Sequence, residues 1–150
     1  MRCLVITVIA VCFALALPST GNAIDIWHSN TVWAGQGMCA FTFTLDGQDV
    51  QMETPSGVND LTLEIMLLNE DRKELGSPVT VRLEQPFADS EATRYAQFFI
   101  EGDCGAETFG ISKATGIIGG RQQDLLETRQ ITPVKFEPKG IILPAEYSEQ

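Results

Sequence analysis

Between Arg2 and Arg72 the chain has no lysine or arginine, while the same stretch holds Asp25, Asp46, Asp49, Glu53, Asp60, Glu64, Glu70 and Asp71. Overall, 10 basic residues face 20 acidic ones, for a net charge of −10. Such a surface repels polyphosphates and anionic lipid, which argues against nucleic acid and an anionic membrane as partners. Histidine occurs once, at His28, and there is no Cys-x-x-Cys pair, so the usual zinc ligand sets cannot be assembled. The Gly-x-Ser-x-Gly elbow of serine hydrolases is missing, and any Ser-His-Asp site would have to draw on His28. Helical spacing of apolar residues is scarce. No internal repeat or low-complexity tract interrupts the chain.

The first 23 residues read as an export signal. Arg2 gives a positive start, Cys3 to Leu17 carry no charge, Pro18 breaks the run, and Gly21-Asn22-Ala23 supplies small residues at the cleavage position. A spanning helix needs about 20 apolar residues, so this run is too short for one. Cleavage after Ala23 is preferred over cleavage after Ala16, which would truncate the apolar segment. The domain plan is therefore a cleaved signal over 1–23, one domain over 24–143 and a polar tail over 144–150. The expected location is secreted or periplasmic.

Removal of the signal changes how the cysteines are read. Cys3 and Cys12 leave with it, and Cys39 and Cys104 remain in an oxidising compartment, where a disulfide between them is expected. Closing a loop of that length stabilises a fold by about 4 kcal/mol in the chain-entropy description.

What is present is alternation. Cys39, Phe41, Phe43 and Leu45 fall on one face of a strand and Ala40, Thr42 and Thr44 on the other. Asp46-Gly47 follows as a two-residue hairpin signal, with a register that sets Phe43 against Val50 and Phe41 against Met52. Leu61, Leu63, Ile65 and Leu67 alternate in a further strand, as do Val79, Val81 and Leu83. Strands are also expected over Thr93 to Ile100, around Phe109 and Ile111, and in Val134–Phe136 and Ile141–Leu143. Gly116 to Gly120 reads as a flexible loop, and Arg121 to Gln130 as either a short helix or a strand. Seven to nine short strands predict an all-β fold: an antiparallel β-sandwich, immunoglobulin-like or fibronectin-III-like, with one disulfide and a small barrel as the alternative. The bridge, from an early strand to the end of a late one, resembles the inter-sheet bridge of immunoglobulin domains. No Trp follows Cys39 closely, and Tyr95 is not two residues before Cys104, so the likeness is one of architecture.

Two strands carry apolar residues on both faces. Met66 and Leu68 back Ile65 and Leu67, and Phe98 and Ile100 back Phe99. Such strands are either central and covered on both sides or exposed as a patch for a partner or second copy.

Several constellations were weighed as chemistry. Gly105 to Ser112 approaches a phosphate-binding loop, with Ile111 where the lysine is required. Asp46 with Asp49, and Glu101 with Asp103 and Glu107, are carboxylate groups that a glycosidase or a weak calcium site could use, with solvated turns as the preferred reading. Trp27 and Trp33, six apart, are expected to share a strand face, as core or as partner-contacting rings.

The sequence thus predicts no catalytic, cofactor or metal residues. It predicts an exported, non-enzymatic binding protein of a bacterial envelope or secretome with a protein partner; the acidic surface is read first as a source of solubility, with a cationic partner as the sharper option and a homodimer as a further one. The contact residues it nominates are Trp27, Trp33, Asp46 and Asp49. The alternatives are an acidic inhibitor of a cationic enzyme such as a muramidase, and a small carbohydrate-active enzyme using paired carboxylates.

Overall fold

The structure, a computed structural model, describes residues 24–53, 56–134 and 139–144. The export signal, Phe136 and the tail beyond Pro144 lie outside the described residues. The elements are β1 (Ile24–Gly35), β2 (Met38–Asp46), α1 (Gln48–Glu53), β3 (Val58–Leu68), β4 (Val79–Arg82), a 3-10 turn (Glu91–Thr93), β5 (Tyr95–Asp103), β6 (Thr108–Ile118), β7 (Arg121–Asp124), β8 (Ile131–Pro133) and β9 (Gly140–Ile142). One sheet has the order β5-β2-β1-β8. The other runs β4-β3-β6-β7, with β9 also paired to β6. Two sheets with open edges make a sandwich and not a barrel.

Alternation places the core where expected. Phe41, Phe43 and Leu45 from β2 meet Leu61, Leu63 and Ile65 from β3, all fully buried. Phe109 of β6 is the hub, edge-on to Phe43 at 4.9 Å and to Phe41 at 5.1 Å between ring centroids. Each large side chain withdrawn from water in this way stabilises the fold by roughly 1.5–3 kcal/mol.

Three expectations need correction. Asp46-Gly47 does not turn a hairpin. Both edges of β2 are already taken, by β1 and β5, so residues 48–53 have no place beside it and form α1 instead. The Asp46 carboxylate accepts a hydrogen bond from the Gln48 amide at 3.0 Å and so begins the helix. Gly47 packs so closely that a Cβ there would lie 2.4 Å from that of Ala88. Secondly, Gly116 to Gly120 is not a flexible loop. Residues up to Ile118 belong to β6, and Gly119-Gly120, with φ of +58° and +76°, form the tight turn into β7. Thirdly, pairing is not wholly antiparallel and sequential. β8 runs parallel to the start of β1, and β9 parallel to the start of β6.

Arg121 to Gln130 resolves into β7 and a turn that buries Leu125. Among the described residues no helix is long and apolar enough to cross a membrane.

Candidate functional site

Cys39 and Cys104 are bonded, with Cα atoms 5.0 Å apart and a separation of 65 positions in sequence. The bridge is not of the immunoglobulin inter-sheet kind. Cys39 lies on β2, and Cys104 directly follows β5, its neighbour in the same sheet, where Cys39 pairs with Gly102. The bond therefore clamps an edge strand to its sheet. The Cys104 amide also donates to the Gly37 carbonyl at 3.1 Å, tying the same corner to the β1–β2 turn.

Trp27 and Trp33 do not share a face. Trp27 pairs with Thr44 and Trp33 with Cys39, positions of opposite parity on β2. A β-bulge at Ser29 inserts one residue into β1 and flips everything after it. The bulge is held by side chains: Ser29 Oγ donates to the Thr42 carbonyl and Thr44 Oγ1 donates to Ser29 Oγ, each at 3.1 Å. Trp27 is half-buried on the outer face. Trp33 stands on the inward side but beyond the reach of the second sheet, and is 71% exposed.

The two nominated aspartates have different fates. Asp46 is held by Arg94 through two hydrogen bonds, Nε to Oδ1 at 2.8 Å and Nη2 to Oδ2 at 2.9 Å. That pairing holds its carboxyl below the usual range, and it fixes the end of β2 to the start of β5. Asp49 is exposed in the first turn of α1. Asp25 opposes Asp46 across the sheet, and burial together with the Asp46 and Asp49 charges pushes its carboxyl up.

Strand register assembles an outward face on β1, β2 and β5. Phe99, Thr42 and Asn30 form one row, and Glu101, Ala40 and Val32 the next. Phe99 is 67% exposed, Val32 55% and Met38 40%. Of the two strands with apolar residues on both faces, β3 is central and buries Met66 and Leu68, whereas β5 is an edge strand and presents Phe99 to solvent. The run Phe98-Phe99-Ile100, apolar without alternation, was the available signal for this face.

His28 is no catalytic base. It is fully buried, its centroid 5.2 Å from that of Phe109 and 5.7 Å from that of Phe43. Nε2 sits 2.8 Å from the Asn30 carbonyl and 2.9 Å from Thr31 Oγ1. Gly105 to Ser112 leads into β6 and not into a helix, so no phosphate-cradling helix terminus exists there. Glu107 of the second carboxylate group pairs with Lys139 at 3.4 Å. Among the described residues no three His, Cys, Asp or Glu side chains are placed to hold a metal ion. Two surface depressions of about 420 and 430 Å³ lie between β4 and β5 and beside β8. The first holds Glu84 as its one carboxylate and the second holds none, so neither offers the facing pair that glycoside hydrolysis needs.

Comparison with known proteins gives two matches. The family model described as IrmA, interleukin receptor mimic protein A, matches residues 24–131. A solved structure, described as the structural characterisation of IrmA from Escherichia coli, is similar with a TM-score of 0.60 and 28% sequence identity, over 80% of this chain and 98% of that one. None of the curated proteins matches the chain.

Proposed function

The chain belongs to the IrmA family, described as interleukin receptor mimic protein A, and from that membership we propose that it is an exported, non-enzymatic protein that binds an interleukin. The observation that carries this reading is the extent of the match, which runs from the first residue of β1 to the first residue of β8 and so takes in both sheets and the disulfide. The largest exposed apolar side chains support it: Val32, Trp33, Met38, Tyr95 and Phe99 all lie on the sheet that contains β1, β2 and β5. Exposed aromatic side chains are frequent anchors of protein interfaces.

Export is supported by the charge-free run from Cys3 to Leu17 and by the Cys39–Cys104 bond, which requires an oxidising compartment to persist. N-terminal sequencing of the released protein is expected to begin at Ile24. A start within the apolar run would overturn that site.

Binding is tested by surface plasmon resonance with purified residues 24–150 over immobilised interleukins, with lysozyme as a basic control. Saturable binding to at least one interleukin and none to lysozyme is the expected result. Binding to lysozyme alone would favour the inhibitor of a cationic enzyme, and binding to neither would remove the receptor-mimic reading. Light scattering on the same sample separates a monomer from a homodimer that covers the exposed sheet with a second copy.

A further inference from the structure

The two outer faces of the sandwich treat charge differently. On the β3-containing sheet two basic residues are matched internally: Arg82 meets Asp60 at 2.6 Å, and Lys113 meets Glu64 at 3.8 Å. Strands β1, β2 and β5 contain no lysine or arginine at all. Register places Asp25, Glu101 and Asp103 on their outward face, with Asp46. Asp46 is neutralised by Arg94. None of the ion pairs found among the described residues involves any of the other three.

Glu101 and Asp103 edge an apolar centre, and Asp25 lies further along the same face, in the row Asp25–Asp46–Tyr95. Glu101 lies in the row Glu101–Ala40–Val32, with the exposed Val32 two strands away, and Asp103 in the row Asp103–Met38–Gly35, next to the exposed Met38. Phe99 opens the adjoining row on the same edge strand. The small side chains Ala40 and Thr42 lie between Phe99 and Val32. Isolated exposed apolar residues need no explanation, but a cluster rimmed by charge of one sign marks an interaction surface.

We propose that the outward face of β5-β2-β1 is where the ligand docks, and that its occupant is the basic face of an interleukin. Apolar side chains of that ligand pack on Phe99 and Val32, and its lysines and arginines face Asp25, Glu101 and Asp103. The inference rests on the interleukin-binding reading and adds to it the place and the chemistry of contact. The acidic rim steers association and excludes acidic ligands, and the apolar centre holds the complex.

The test measures affinities of the intact mature chain for a panel of recombinant interleukins ordered by isoelectric point, at low and high salt. Basic members are expected to bind tightest and to weaken with salt. Phe99→Ser is expected to lower affinity about 10-fold or more, the range of an interface anchor. Glu101→Lys with Asp103→Lys is expected to lower it similarly, mainly through the association rate. Lys113→Glu, on the opposite face, is expected to leave affinity within about twofold. All these positions are solvent-facing, and unchanged melting temperatures confirm that the variants fold. If the wild-type chain binds an interleukin and the Phe99 and charge-reversal variants bind it as well, the docking face is wrong while the receptor-mimic reading stands. Preference for acidic members has the same consequence. If no interleukin binds the wild-type chain, both fall together.

Discussion

Trp27 and Trp33 lie six positions apart on one strand and face opposite sides of its sheet, because the bulge at Ser29 adds a residue between them. The two rings should therefore report different surroundings. Trp33→Phe is expected to remove most of the emission that acrylamide quenches, with a change in stability within about 0.5 kcal/mol, as for an exposed residue. Trp27→Phe is expected to leave the quenchable emission in place. Equal quenching of both rings would contradict the bulged register.

The Cys39–Cys104 bond fastens an edge strand whose other side has no β partner among the described residues. Replacing both cysteines by serine is expected to cost about 2–4 kcal/mol, read from the urea midpoint. Amide exchange should accelerate first in β5. A uniform acceleration across both sheets would show that the bond supports global folding and not this edge.

Burial of His28 is expected to make the fold sensitive to acid. Nε2 faces a carbonyl, which only accepts, so Nε2 carries the proton and Nδ1 is buried with no hydrogen-bond partner among the described residues. Burial holds the imidazole below its usual value near 6.5, and the Lys139 charge acts in the same direction. A histidine depressed in the folded state leaves the unfolded chain binding more protons, so stability is complete above about pH 6.5 and falls as the pH drops below it. Urea midpoints between pH 5 and 7.5 are expected to show this slope, and His28→Phe to flatten it. A slope unchanged in the variant would assign the acid sensitivity to carboxylates instead.

Gly57 and Gly119 have nearly the same backbone, with φ of +60° and +58°, but different neighbours. A Cβ on Gly57 would lie 2.3 Å from the Phe87 carbonyl oxygen, and that oxygen accepts the Val58 amide at 2.7 Å. A Cβ on Gly119 would meet nothing within 4 Å. Gly119→Ala is expected to cost about 1 kcal/mol, the backbone penalty alone, and Gly57→Ala about 2–3 kcal/mol or more. Thermal denaturation of the two variants side by side checks the difference, and equal costs would show that the Phe87 loop yields freely.

The alternating positions of β2 and β3 were legible because a strand buried on one face repeats every second residue, whatever its partners. Cys39, Phe41, Phe43 and Leu45 point inward for that reason, and so do Leu61 and Leu63. The disulfide was legible because, once an export signal is read in the first 23 residues, the two cysteines left have few other uses. The candidate face was half legible: the long stretch without lysine or arginine was visible, and so was the two-sided apolar character of Phe98 to Ile100. Phe99 could not be told from a central-strand residue, because exposure depends on whether another strand follows β5.

Local pattern thus determined the fold class, the bridge and the inward faces, since each depends on residues close in sequence or on a single pair. Tertiary structure decided the rest. The bulge at Ser29 separated the tryptophans, because a single inserted residue reverses every side chain beyond it. Competition for the edges of β2 turned an apparent hairpin into a helix. The order β5-β2-β1 brought the cation-free strand β5, distant in the chain, beside the cation-free pair β1 and β2 on one sheet. Charge complementarity is a property of surfaces, and only the pairing of strands creates one.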